Sequence, residues 1–110
     1  MALQSAANLA VFITTNNSSW DIANAAPFGT IELNTWTHYA LTRNGSTFRT
    51  FKNGIIGSTI NNAASIYSSL EHHLQIGVHY ALYVPGYFDE FRVSNVARWT
   101  ANFTPPTAPY

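Results

Sequence analysis

Cysteine is absent from this chain of 110 residues. A disulfide framework, a thiolate nucleophile and a zinc site held by cysteine are therefore excluded. Long apolar runs are also missing, since none approaches the roughly 20 residues that a membrane-spanning helix needs. Residues 1–17 contain a short apolar patch without a basic segment before it. This pattern is atypical of a signal peptide and predicts a first strand instead.

Charged side chains are scarce as well. They make up 9% of the residues, against roughly 25% in an average domain. Five basic residues balance five acidic ones. A nucleic-acid-binding surface requires a basic patch, and an anionic membrane surface attracts clustered basic residues, so the composition argues against both partners. A neutral chain with 15% aromatic residues tends to self-associate; the alternative is a neutral monomer.

The chain does have enough apolar residues to form a core, because 46% of its residues are hydrophobic. Its length predicts one domain over residues 1–110. A chain of this size buries only about 65% of the surface that it exposes when unfolded. The expected core is therefore small.

Two Asn-Gly dipeptides, at Asn44-Gly45 and Asn53-Gly54, predict tight turns. Both central residues of a type I′ turn need a positive φ, and Asn-Gly is the dipeptide that adopts it most readily. The flanking segments are rich in β-branched and aromatic residues. The pattern predicts three consecutive antiparallel strands, at 36–43, 46–52 and 55–60.

Four other segments have the composition or alternation of strands, and they are 9–15, 29–33, 73–78 and 86–93. Segment 61–72 is a weak candidate for a helix, and 94–100 is compatible with one helical turn capped by Ser94 or Asn95. Seven short strands separated by turn residues predict an all-β fold, an antiparallel β-sandwich.

Several blocks of the sequence occur in the order typical of one known family. They are Trp-x-His-x-Ala at 36–40, Phe-x-Asn-Gly at 51–54, Leu-x-Ile-Gly at 74–77, and GYFDEFRVSNVARW at 86–99. The chain resembles the laminin-G-like jelly roll of the concanavalin A-like lectin/glucanase superfamily over about residues 30–110. The resemblance implies a sandwich of one concave and one convex sheet. Modules with this ending are common in phage tail and bacterial surface proteins, which implies a virion or the cell exterior as the location.

In that family the closing segment forms the last strand and a strap that runs back across the sandwich. A complete family domain has more strands before the matching region than the roughly 30 residues here provide. The resemblance therefore implies the C-terminal part of a jelly roll, with exposed strand edges and apolar surface. We expect a second copy of the chain to cover them in a homo-oligomer, most simply a symmetric dimer. The alternative is a smaller, self-sufficient sandwich.

The sequence does not support catalysis by a pair of carboxylates. The glucanases of the superfamily carry Glu-x-Asp-x-(x)-Glu on one strand and use two of the carboxylates as acid and nucleophile. Here Asp89 and Glu90 are adjacent, so on a strand they point to opposite faces. An ion pair with Arg92 or Arg98 is the simpler role for them. No Gly-x-Ser-x-Gly elbow is present either, and we expect no enzymatic activity.

The histidines lack the spacing of a metal site. On a strand, the adjacent His72 and His73 point to opposite faces, and His73 and His79 lie roughly 20 Å apart. Relatives that bind calcium use loop carboxylates, and the loop around Asp21 supplies one, fewer than calcium usually has. We expect no metal and no other cofactor. His38 is expected to be half-buried and hydrogen-bonded.

Two aromatic clusters have the composition of a carbohydrate site, which combines an aromatic face with amide and carboxylate groups. One lies in the loop 16–21 and the other in 79–87. The candidate glycan-binding residues of this lectin-like module are Trp20, Asp21, His79, Tyr80, Tyr83 and Tyr87. The alternative is an assembly module without a ligand, whose aromatic residues pack an interface between copies, where Tyr and Trp are enriched.

Overall fold

The structure, a computed structural model, describes residues 9–71, 74–79 and 82–108. Within these ranges all regular structure is β, and every strand pair is antiparallel. The strands are β1 Leu9–Ile13, β2 Ala23–Gly29, β3 Tyr39–Asn44, β4 Thr47–Lys52, β5 Ile55–Asn61, β6 Val78–His79 and β7 Leu82–Tyr83. The all-β prediction is confirmed. Residues 61–71 and 94–100 carry no helix, so both helical expectations are wrong there.

The strands form two packed layers and one small hairpin. β1 and β2 pair in one sheet, β3, β4 and β5 form a three-stranded meander in that order, and β6 pairs with β7. β2 packs against β4 and β5, so the β1–β2 hairpin covers one face of the meander. The described part is thus an antiparallel sandwich whose sheets do not close on each other.

The two turns of the meander differ from each other. At the second, Lys52 pairs with Ile55, and the central residues Asn53 and Gly54 both have positive φ (48° and 81°), as expected for a type I′ turn. At the first, the pairing of Asn44 with Thr47 places the turn at residues 45–46, one position later than the Asn-Gly pattern predicts. Only the glycine has positive φ there (60°), as in a type II′ turn.

The strand expected at 29–33 is wrong, because β2 ends where that strand was to begin. β2 contains Pro27 and three alanines, which have low strand propensity. Its pairing with β1 is irregular, since Val11 pairs with Ala26 and Ile13 with Ala23. Ala25, between these pairs, has φ of 58° and forms a bulge that the local sequence does not predict.

The late strands are shorter than predicted. Residues 74–77 are not in a strand, and β6 and β7 contribute two residues each. Residues 86–93 are described and lie outside any strand. Glu90 has φ of 54°, which interrupts an extended backbone. The family-like sequence at 86–93 therefore has no partner strand in the described part of the chain.

The buried core lies entirely in the first half of the chain. Ile13, Ile22, Ala23 and Phe48 form its centre. The other buried side chains are Phe28, Thr42, Thr50 and Phe51. From residue 55 onward, none of the side chains that the structure describes is buried.

A polar cluster joins the two layers at a bulge in β5. Between the pairs 49–59 and 51–56, β5 has one residue more than β4. The Thr50 hydroxyl accepts the Ser58 backbone N–H (2.8 Å) and donates to the Pro27 carbonyl (2.8 Å), which also accepts the Ser58 hydroxyl (2.6 Å). Gly57 permits this approach, because a Cβ there would lie 2.2 Å from the Phe28 carbonyl oxygen.

The closing segment packs on the turn between β4 and β5. We call residues 99–105 the strap. The Phe103 N–H donates to the Gly54 carbonyl (2.9 Å), the Asn102 side-chain oxygen accepts the Ile56 N–H (3.0 Å), and the Phe103 ring lies 5.1 Å from that of Phe51. Phe48 and Phe51 are three residues apart on β4 and so face opposite ways. The hairpin covers one of them and the strap covers the other.

Replacing the central threonine should loosen the contact between the layers. Thr50→Val keeps the shape but leaves the Ser58 N–H without its acceptor and removes one donor to Pro27. An unsatisfied buried group costs about 1–3 kcal/mol, so we expect the free energy of unfolding to fall by about 2 kcal/mol in a denaturant titration. Thr59→Val, on an exposed position of β5, is the matched control and should change it by less than about 0.5 kcal/mol. Equal effects of the two substitutions would contradict this role.

Candidate functional site

The first aromatic cluster lies in the loop between β1 and β2. The Asp21 carboxylate accepts the backbone N–H of Thr15 at 2.8 Å, and its other oxygen accepts the Thr15 hydroxyl. The hydroxyl bond, followed by the backbone bond, lowers the pKa of Asp21 below its usual value. Asp21 is exposed but both of its oxygens are used to close the loop, so its first role is structural.

Trp20, its neighbour, is half-buried. Its ring centroid lies 5.4 Å from that of Phe12 at an angle of 59°, so one part of the indole packs against β1. The Asn16 side-chain oxygen accepts the N–H groups of Ser18 (2.9 Å) and Ser19 (3.1 Å). The polar groups of this loop therefore bond mainly to one another.

The second cluster lies around the β6–β7 hairpin. Val78 pairs with Tyr83, and the Val84 N–H donates to the Gly77 carbonyl (2.8 Å) to close the hairpin. Tyr83 is 77% exposed and Tyr87 is 79% exposed. His79 has its backbone in β6, and its side chain and the whole of Tyr80 lie outside the described residues. Of the six candidates, the structure thus presents two tyrosine rings fully to the surface.

Apolar side chains are exposed on both sides of these tyrosines. We call the residues from 70 to 96 the exposed segment. Phe88 packs over Gly77, where a Cβ would lie 2.8 Å from its ring, and yet Phe88 is still half exposed. The other large apolar side chains exposed in this segment are Leu70, Leu74, Ile76, Phe91, Val93 and Val96. This density of exposed apolar groups is unusual for a monomeric surface.

His38 lies beneath the strap. Its ring meets those of Trp99 (5.6 Å) and Phe103 (5.7 Å) edge to face, and those two rings stack on each other at 3.9 Å. The backbone N–H of His38 donates to the Asn53 side-chain oxygen (3.0 Å), and partial burial lowers the pKa of the imidazole. The expected half burial of His38 is confirmed, a hydrogen bond of its imidazole stays a prediction, and its ring contacts are those of a structural residue.

A groove that the sequence did not indicate runs between the end of β2 and the β4–β5 hairpin. It has a volume of about 320 Å³. At its edge the Lys52 ammonium lies 3.1 Å from the Glu32 carboxylate, and their side chains are 15% and 58% exposed. The two residues are 20 positions apart, and no local motif joins them. The groove is lined by Phe28, Thr30, Asn53, Ile55 and Ile56 besides this pair.

Asp89 and Arg98 bond to groups that are close to them in the sequence. Asp89 accepts the N–H of Glu90 (2.8 Å), and Arg98 donates to the Ser94 hydroxyl (2.7 Å). An ion pair between this arginine and residues 89–90 stays a prediction. Over residues 9–71, 74–79 and 82–108, no three His, Asp or Glu residues gather as metal ligands do. In the same ranges there is no helix long and apolar enough to cross a membrane.

A laminin-G family model of the concanavalin A-like lectin/glucanases superfamily matches residues 1–102. The chain therefore belongs to this superfamily, and the fold and the family predicted from its motifs are confirmed. The match begins at residue 1, so the segment before residue 30 is also part of the family pattern. Neither a curated protein nor a solved structure matches the chain.

The bond between Asp21 and Thr15 makes stability depend on pH. A carboxylate whose pKa is lowered on folding stabilises the fold above its unfolded pKa, and this contribution is lost as the pH falls through the lower, folded pKa. We therefore expect wild type to exceed Asp21→Asn in stability at neutral pH, and the difference to shrink only below the ordinary value of 3.8. Denaturant unfolding across this acid range measures it. Thr15→Val removes the hydroxyl bond but keeps the backbone N–H that also bonds to Asp21, so it should show a smaller effect in the same direction; a difference that is independent of pH would contradict the assignment.

Proposed function

We propose that this chain is a non-enzymatic carbohydrate-binding module, lectin-like, that belongs to a phage tail or surface adhesion protein. Membership of a lectin-containing superfamily supports a binding module. The observation that carries the proposal is the exposure of Tyr83 (77%) and Tyr87 (79%). An exposed aromatic face takes the C–H side of a pyranose ring, and the phenol hydroxyl bonds to sugar hydroxyls.

The position of the two tyrosines supports the proposal further. Tyr83 is held by its pairing with Val78 across the β6–β7 hairpin. Tyr87 follows the turn at 85–86. Neither ring is needed in the core, because the core lies before residue 55. Two large aromatic side chains that contribute little to the fold are therefore available for a ligand.

The acidic residues favour binding over hydrolysis. Retaining glycosidases place two carboxyl groups about 5 Å apart and inverting ones about 6.5–9.5 Å apart, in both cases free to reach the substrate. Here Asp21 bonds to Thr15, and Asp89 bonds to the adjacent backbone. Each of these carboxylates already has a structural partner, which supports a role without catalysis.

A glycan array tests the proposal directly. We expect wild type to bind one class of surface polysaccharide, and Tyr83→Leu and Tyr87→Leu each to lose about tenfold in affinity, since a stacking contact is worth about 1–1.5 kcal/mol. Tyr83→Phe and Tyr87→Phe are the matched controls. They keep the aromatic face, so we expect them to retain most of the binding.

An array with no bound glycan contradicts the proposed function. If the Leu variants bind as wild type does, a glycan is bound elsewhere on the chain and these tyrosines are not its site. Leu is large and more apolar than Tyr, so the substitution preserves packing between copies better than alanine does. The series thereby separates stacking on a sugar from burial at an interface.

A second candidate function, self-assembly, is favoured by a different observation. Among the described residues between Leu70 and Val96, seven large apolar side chains are exposed besides the tyrosines, and no side chain described after residue 54 is buried. Residues 86–93 have the composition of a strand but lie outside the strands of the described part of the chain. We propose that a second copy of the chain covers this surface, most simply in a symmetric dimer.

The assembly hypothesis predicts a change of mass on substitution. Phe91 is 66% exposed, so Phe91→Ser should leave the fold intact while it weakens the dimer. We expect native mass spectrometry at micromolar concentration to show dimer for wild type and mainly monomer for this variant. Leu41→Ser, at a 44% exposed position on β3, is the control and should remain dimeric. A monodisperse wild-type monomer would contradict the hypothesis.

A further inference from the structure

We propose that the groove between β2 and the β4–β5 hairpin is a subsite for one neutral sugar ring, held by Lys52, Glu32 and Asn53. The inference rests on the proposed carbohydrate-binding function and adds a site to it. This groove is separate from the tyrosines of the exposed segment, since it is built from residues 28–32 and 52–57. A result for the groove subsite is therefore independent of the result for these tyrosines.

Gly29, the last residue of β2, is part of the groove wall. Gly29 has φ of 141°, and a Cβ there would lie 3.1 Å from Cδ of Lys52. The lysine stem crosses the space that a side chain would occupy, and this packing fixes the direction in which the ammonium points. Lys52 is also paired with Tyr39 on one side and Ile55 on the other. The backbone of Lys52 is therefore fixed between two neighbouring strands, which lowers the ordering cost of a ligand contact at this residue.

The ion pair determines which ligand charge the groove favours. Lys52 and Glu32 neutralise each other at 3.1 Å, so a charged ligand would gain from one of them and be repelled by the other. A sugar hydroxyl both donates and accepts. Two neighbouring hydroxyls on a ring can therefore donate to the carboxylate and accept from the ammonium without breaking the pair. The chemistry of the pair selects a neutral polyhydroxy compound.

Further donors and an apolar wall complete the site. The hydrogen bonds of Asn53 in the described ranges use its side-chain oxygen and its backbone, and its NH₂ group is left for a ligand hydroxyl. Ile55, which is 58% exposed, and Ile56 line the groove and offer an apolar surface to the C–H side of a ring. The volume of about 320 Å³ is at the lower end of ligand pockets, which suits a single ring.

The test uses methyl glycopyranosides of glucose, mannose and galactose as probes, followed by ¹H–¹⁵N correlation spectra of the whole chain. We expect one of them to shift the backbone amides of residues 29, 52, 53, 55 and 56, with millimolar affinity as usual for a single ring at a shallow site. Glu32→Gln and Lys52→Met should each weaken this binding at least tenfold. Glu71→Gln, which changes the charge by the same amount at an exposed position outside the groove, is the control and should bind as wild type does.

The possible outcomes distinguish failure of the groove subsite from failure of the proposed carbohydrate-binding function. If a glycan binds on the array but the glycosides leave the groove amides unshifted, or if Glu32→Gln binds as well as wild type, the subsite is wrong and the carbohydrate-binding function stands. If no glycan and no glycoside binds, both are wrong. Shifts confined to Tyr83 and Tyr87 also overturn the subsite. Preferential binding of a charged sugar acid over its neutral counterpart would contradict the selection by the ion pair.

Discussion

The carbonyl of Pro27 is the point on which the two layers of this small sandwich depend. It accepts hydroxyl hydrogens from Thr50 (2.8 Å) and Ser58 (2.6 Å), each on a different strand of the meander. Because a proline has no N–H, β2 cannot form a full ladder at this residue, and its carbonyl bonds across the layers instead. Gly57 removes the side chain that would keep β2 away. A partly buried polar network of this kind fixes register and orientation, which a core of four central side chains would specify poorly.

The first half of the chain is packed around the core, whereas the described residues of the second half are mostly exposed. β4 is covered on both faces, by the β1–β2 hairpin at Phe48 and by the strap at Phe51. The strap is anchored on the β4–β5 turn, where the backbone of Phe103 comes so close to Gly54 that only glycine fits. The described residues of the exposed segment contribute no buried side chain. A rigid platform that carries a lightly packed, aromatic-rich surface is an arrangement suited to recognition, whether the partner is a glycan or another copy.

Sequence predicted those parts of the fold that short-range chemistry determines. Asn53-Gly54 was placed correctly because its φ requirement is local, and the family blocks identified the superfamily. The turn after Asn44 lies one residue later than predicted, at positions 45–46. A positive φ at Gly45 alone is sufficient for this type of turn. β2 was missed because its stability comes from contact with β4 and β5 rather than from its own alanines. The groove could not be found at all, since Glu32 and Lys52 meet only after the layers have packed.

The scarcity of charge links these features. With five acidic and five basic residues in the chain, each ionic contact in the described part has an identifiable task. Asp21 closes a loop, Arg43 lies 4.6 Å from the centre of the Phe48 ring and donates to the Ala64 carbonyl, and Lys52 bonds to Glu32. A surface of this kind generates little long-range attraction for ions. The contacts that it offers a partner are therefore short hydrogen bonds and aromatic or aliphatic faces.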